Sequence, residues 1–170
     1  MKSLMIQGTS SGAGKTTLVA ALCRIFSDKG YSVAPFKSQN MSNFAYITPD
    51  FEISRAQAIQ AFAARCNITP DLNPILLKPV GNYSSIVYLN GKRFKKMHAQ
   101  EYYKKFVNIE GMKIATKSLK TLQKNFDLVI ISLPVLFQNS VTLAKKFLIT
   151  LLKFKDFNAI VKNSYVSCHR

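Results

Sequence analysis

The chain has 170 residues, room for one domain with at most a small appendage. Hydrophobic residues at 48% and aromatics at 11% supply a core and exclude intrinsic disorder. Lys plus Arg number 24 against 8 Asp plus Glu, a net charge of +16, which favours polyanionic company: nucleic acid, a membrane surface, or a small substrate rich in phosphates and carboxylates.

In chain order, Leu4-Met5-Ile6 is a short apolar run that stops at Gly8, as a buried strand feeding a tight loop would. Leu18, Ala21, Leu22, Ile25 and Phe26 then recur with helical spacing on one face. Lys29-Gly30 stops that helix with a cation and a glycine cap, and Tyr31 to Phe36 reads as a second strand. This strand–loop–helix–strand order opens a parallel α/β sheet. Asp50 to Asn67 predicts a second helix, with Ile53, Ala56, Ile59, Ala63 and Cys66 near one face and Thr69-Pro70 closing it. Ile86 to Leu89 followed by Asn90-Gly91 is the strongest hairpin signal in the chain. His98–Phe106 and Met112–Lys124 predict two further helices, and Phe126–Ile131 a strongly β-branched strand. Ten basic residues against two acidic ones between Lys92 and Lys124 read either as a phosphate-tracking surface or as a solvated face. The run is nearly all Lys and lacks the aromatic and Arg interleaving of nucleic-acid grooves.

The cysteines, Cys23, Cys66 and Cys168, have no CxxC spacing, so neither a disulfide framework nor a zinc site is expected. With only His98 and His169, a His-rich metal centre is excluded. Met1 to Ile6 is too short an apolar stretch for a signal peptide, and Leu133 to Leu152 is broken by Lys145 and Lys146. A cytoplasmic protein without a membrane span is expected.

Gly8-Thr9-Ser10-Ser11-Gly12-Ala13-Gly14-Lys15-Thr16-Thr17 lies between the first strand and the first helix. Glycines let successive N–H groups turn inward onto phosphate oxygens, and a helix starting at Lys15 aims its positive end at the same place. Lys15 is placed to reach the β- and γ-phosphates and the Thr16 hydroxyl to ligate Mg²⁺. The strict P-loop spacing needs glycine six residues before the lysine, where this chain has Thr9, so the loop is a variant.

Four segments carry a resemblance: Gly8–Lys15, Ala34-Pro35-Phe36-Lys37-Ser38-Gln39-Asn40-Met41-Ser42-Asn43, Glu52–Ala61, and Asp71–Pro79. In order and spacing they resemble the ATP-binding domain of cobyric acid synthases, the glutamine-dependent amidases of cobalamin biosynthesis, over roughly residues 3 to 131. The second segment separates that family from its dethiobiotin synthetase and cobyrinate diamide synthase relatives. Partition ATPases with a related loop carry a second lysine where this chain has Ser10, so a metabolic enzyme is expected rather than a dimer-switching ATPase.

The resemblance implies an α/β, P-loop NTPase-like three-layer domain with a mainly parallel sheet, similar to dethiobiotin synthetase and incomplete at its C-terminal side. It implies an ATP-dependent amide ligase that converts carboxylates of (adenosyl)cobyrinic acid a,c-diamide to acyl phosphates, which ammonia displaces on the way to cobyric acid. Lys15 and the loop N–H groups then hold the γ-phosphate, with Thr16 on Mg²⁺. Lys37 ends the second strand, where open α/β sheets bind ligands, and by similarity neutralises the transferring phosphoryl group and the incoming carboxylate. Gln39, Asn40 and Asn43 are candidate substrate contacts or, equally, loop caps. Glu52 is the candidate second acidic group near Mg²⁺; the alternative is a carboxylate favoured by a helix N-terminus.

By similarity the strand Phe126–Ile131 should run on into an acidic residue and a glycine-rich turn. Here it continues Ser132-Leu133-Pro134-Val135, and no acidic residue occurs between Asp127 and Asp156. Residues 1–131 are therefore read as a partial ATP-binding domain and 132–170 as a divergent Lys-rich apolar tail, with the family's C-terminal glutaminase domain absent and a frameshifted or truncated gene the expected cause. No cysteine lies in a Gly-flanked nucleophile elbow, so ammonia is expected from a separate glutaminase chain or from solution. Two other readings stay open: a stand-alone P-loop nucleotide-binding or regulatory module without ligase activity, and a nucleic-acid-associated P-loop protein.

Overall fold

A computed structural model describes residues 2–7 and 12–133. Gly8, Thr9, Ser10 and Ser11 of the loop lie outside the described residues, as does the tail beyond Leu133, with Cys168 and His169.

Three strands, β1 (Lys2–Ile6), β2 (Val33–Phe36) and β9 (Leu128–Ser132), form a wholly parallel sheet in the order β1-β9-β2. β9 is buried at every residue, as a central parallel strand covered on both faces must be. Its Leu128 and Ile130 face Val19 and Cys23 of α1 (Lys15–Asp28) and Ala64 of α2 (Arg55–Ala64). Its Val129 and Ile131 face Ala115, Leu119 and Leu122 of α4 (Met112–Asn125). Helices on both faces of a parallel sheet give the expected three-layer α/β architecture.

A second sheet has the order β3-β6-β7-β8 (β3 Gln39–Met41, β6 Ile75–Pro79, β7 Ser84–Leu89, β8 Lys92–His98). β3 pairs parallel with β6, and the rest is an antiparallel meander. The Asn90-Gly91 hairpin is present, with φ of 46° and 79° at the two turn residues. A Cβ on Gly91 would lie 2.4 Å from the Cβ of Phe51, so only glycine fits there. β8 is exposed at six of its seven positions and carries Lys92, Arg93, Lys95 and Lys96, a charged outer strand that discourages pairing with another chain. Part of the basic run thus has a structural use.

Three expectations change. The second helix begins at Arg55 rather than Asp50, because Glu52–Ser54 forms β5 and pairs antiparallel with β4 (Ala45–Ile47). Ser54 then caps the helix, accepting the N–H of Gln57 at 3.4 Å. The two helices expected around residue 109 are one continuous run. A short turn, α3 (Ala99–Glu101), leads into a π-helical segment (Tyr102–Gly111) and on into α4. Finally, α1 buries Val19 and Cys23, with Leu22 and Phe26 half-buried, while Leu18 and Ile25 are exposed. Apolar residues surround most of α1, so their spacing alone does not select the face that α2 covers.

Candidate functional site

Parallel strands deliver their carboxyl ends to one rim. Ile6 pairs with Ser132 and Phe36 with Ile131, so the ends of β1, β2 and β9 meet there. Gly12 and Gly14 hold φ near +79° and +78° with open space where a side chain would stand. Gly14 donates its N–H to the Gly12 carbonyl at 2.8 Å and caps α1 without any side-chain cap. An uncapped helix start beside Lys15 and Thr16 suits an anion.

Lys37 is the first residue beyond β2 and lies in the two-residue passage from the first sheet to the second. Its N–H donates to the Leu72 carbonyl at 3.0 Å, and its ammonium donates to Asn40 Oδ1 at 2.6 Å. Burial first, and the charge of Lys15 second, pull Lys37 from 10.5 down to about 8. Two cations that feel each other in a partly dehydrated rim are a ready receptor for a phosphoryl group.

The candidate substrate residues divide. Asn40 is buried and shares the Lys37 site. Gln39 points to the opposite face of the second sheet, where Tyr102 donates its hydroxyl to Gln39 Oε1 at 2.8 Å. Asn43 is exposed between β3 and β4. Glu52 sits on β5 and not at a helix N-terminus. Its carboxylate is ion-paired with Lys78, whose ammonium lies 4.7 Å from the Tyr88 ring centroid.

Among the described residues no three His, Cys, Asp or Glu side chains cluster as a metal site. β9 ends at Ser132, with Leu133 next, and Asp127 lies just before its other end, accepting the Ser32 N–H at 3.0 Å. Of the residues at the rim, the Thr16 hydroxyl has the chemistry to ligate a divalent cation. Burial pushes the Cys23 thiol up to about 12, with Cys66 adding to it, and burial also pushes Cys66 up to about 11. Both therefore stay protonated and unreactive at neutral pH. No helix among the described residues is long and apolar enough to cross a membrane.

Sequence reasoning missed the residues behind this rim. Asn73 donates its side-chain amide to the Lys37 carbonyl at 3.1 Å, and Gln60 donates to the Thr16 carbonyl at 3.2 Å. The available signal was Gln57 and Gln60, two amides at i and i+3 in an alanine-rich helix.

Comparison with known proteins places the chain in a family. Cobyric acid synthase of Rippkaea orientalis is 46% identical over 131 residues, 76% of this chain and 26% of that protein. The Clostridium botulinum cobyric acid synthase is 47% identical over 131 residues, again 76% of this chain and 26% of that protein. A Synechococcus cobyric acid synthase is 50% identical over 127 residues, 74% of this chain and 25% of that protein. The chain spans about a quarter of the length of the curated relatives it matches. The sequence profile of the CobQ/CobB/MinD/ParA nucleotide binding domain matches residues 4–164, past Ile131 into the tail. The chain belongs to the CobQ/CobB/MinD/ParA nucleotide-binding domain family.

Proposed function

We propose that this chain is the ATP-binding part of a corrinoid amide ligase, activating side-chain carboxylates of cobyrinic acid a,c-diamide. The observation that carries the reading is Lys37, half-buried at the carboxyl end of β2 and within the field of Lys15. A lone nucleotide site needs the first lysine. A second one, on the passage toward the other sheet, suits a carboxylate that must approach the γ-phosphate against its own charge.

In this reaction a carboxylate oxygen attacks the γ-phosphorus, the bond to the β-phosphate oxygen breaks, and ADP leaves behind an acyl phosphate. Ammonia then attacks the acyl carbon, phosphate departs, and the nitrogen loses a proton to give the amide. Lys15 and the N–H groups of Gly8–Thr17 hold the β- and γ-phosphates. Lys37, protonated below about pH 8, donates hydrogen bonds to the phosphoryl and carboxylate oxygens, and Asn40 Oδ1 aims it. The Thr16 hydroxyl would hold Mg²⁺, which would supply neutralisation of phosphate charge there. Lys78 engages the Glu52 carboxylate, so the metal set proposed is Thr16 with water. Asn43 lies on the solvent side, where the periphery of a corrinoid is to be met. Ammonia comes from a glutaminase chain or from solution.

Ser132 at the end of β9, where relatives are expected to place an acidic residue, favours a second reading: a nucleotide-binding module without ligase turnover. Calorimetry with Mg²⁺–ATP, with and without the corrinoid diamide, separates the two. Binding tightened by the corrinoid, with ammonia-dependent ADP release, supports the ligase. Binding indifferent to the corrinoid supports the module, and binding unchanged by Lys15→Ala overturns both.

A further inference from the structure

α2 packs an alanine-rich face against α1 and the first sheet, yet two of its most buried residues are glutamines. Gln57 and Gln60 are each 1% exposed, as is Asn73 just before β6, and Ser54 is fully buried. Burying a primary amide costs about 1–3 kcal/mol unless its hydrogen bonds are met. Here they are met in sequence. Asn73 donates to the Lys37 carbonyl at 3.1 Å and accepts the Ser54 N–H at 3.2 Å. The Ser54 hydroxyl donates to Gln57 Oε1 at 3.2 Å, and Gln57 donates to Gln60 Oε1 at 2.9 Å. Gln60 completes the chain by donating to the Thr16 carbonyl at 3.2 Å.

Both ends of this buried chain are main-chain carbonyls of residues at the rim. One belongs to Thr16 in the first turn of α1, the other to Lys37 beyond β2. Packing alone does not require it: Val19 and Cys23 of α1 already meet Ala64 of α2 in an apolar contact. Small apolar side chains, however, slide against one another with little resistance. A hydrogen bond is lost within a few tenths of an ångström or a few tens of degrees of misalignment, so it fixes register where alanine contacts do not.

We propose that Gln60, at the end of the buried chain Asn73–Ser54–Gln57–Gln60, is a positioning residue that sets the first turn of α1 relative to Lys37. It acts through main-chain carbonyls and touches neither phosphate nor carboxylate. The proposal rests on the nucleotide site described above, and its effect is on the spacing of the two cationic arms, Lys15 and Lys37.

The test is the double variant Gln57→Met/Gln60→Met, which removes both amides together and leaves the Ser54 hydroxyl as the one group of the chain without its acceptor. Three quantities are read: the melting temperature, the affinity for Mg²⁺–ATP by calorimetry, and the titration of the Lys37 Cε resonance. The expected result is a melting temperature within a few degrees of wild type and Mg²⁺–ATP affinity reduced at least tenfold. The Lys37 midpoint rises from about 8 by the smaller part that Lys15 contributes as Lys15 moves away, while burial keeps it below the ordinary lysine value. A relay that serves stability alone predicts unchanged affinity and an unchanged Lys37 midpoint once both amides are gone, and that result overturns the proposal. If wild type itself binds no Mg²⁺–ATP, the nucleotide reading fails by that result. The Lys37 titration then decides the relay by itself. Should the double variant not fold, Gln60→Met alone removes the donor to the Thr16 carbonyl, leaves the Ser54 cap of α2 in place, and is read in the same way.

Discussion

Lys37→Met puts a number on holding an ammonium in the rim. In the unfolded chain this lysine titrates near 10.5, in the fold near 8. Below pH 8 both states carry the proton, and the fold bears the whole difference, about 3 kcal/mol at 1.36 kcal/mol per pH unit. Between the two values the folded group loses its proton while the unfolded one keeps it, so this contribution raises stability with pH. Above both, nothing of it remains. Methionine removes the charge but strands Asn40 Oδ1, at a cost of about 1–3 kcal/mol. The variant is therefore expected to be roughly 0–2 kcal/mol more stable than wild type at neutral pH. That difference should fall by about 2 kcal/mol on going from pH 7 to pH 9.5. Urea unfolding of both proteins at the two pH values measures it. A difference that does not change with pH would refute the account of a partly dehydrated lysine beside Lys15. Under the proposed ligase function the same variant should lose corrinoid-dependent ADP release, since that function gives the Lys37 charge to the phosphoryl group.

Gly91→Ala should destabilise the fold by roughly 3 kcal/mol, because the turn needs positive φ and the new Cβ meets Phe51; a melting temperature within about 1 °C of wild type would contradict it. Cys23 should resist iodoacetamide at pH 8.5 in the native protein and react readily in urea, as its raised pKa and burial require. Peptide mass spectrometry reads this site by site, and fast native labelling would show that the thiol is accessible. Glu52→Gln should leave Mg²⁺–ATP affinity within about threefold of wild type while loosening Lys78. A tenfold loss by calorimetry would return Glu52 to the metal.

The strand–loop–helix opening, the Asn90-Gly91 hairpin and β9 were legible because each rests on local chemistry: glycines at a turn, a β-branched run, a helix stop at Gly30. Lys37 was legible through its place after β2 and through the family resemblance. The buried faces of α1 and α2 were not. On α1, apolar residues occur all round, and only the neighbour decides which are covered. On α2, the covered face contains Gln57 and Gln60, which any hydrophobic periodicity assigns to solvent. β5 was missed because Glu52-Ile53-Ser54 is too short to show alternation and is held by its pairing with β4. Gln39 and Asn40 are neighbours in sequence with one motif in common, yet strand alternation sends them to opposite faces.

The π-helical segment carries a consequence for insertions and deletions. Its buried residues, Tyr102, Phe106, Val107 and Gly111, fall four and five apart, whereas those of α4 fall four and three apart through Ala115, Leu119 and Leu122. One continuous helical run therefore serves two sheets that ask for different phases, with the wider turn between them acting as a gearbox. Removing one residue from 102–111 is absorbed where one wide turn tightens to the ordinary pitch, so Tyr102 keeps its bearing on the mixed sheet and Leu119 on the parallel one. The same deletion inside α4, between Ala115 and Leu122, meets no wide turn and swings the residues before it by about 100°. Length is thus constrained more tightly in α4 than in the wider segment that precedes it.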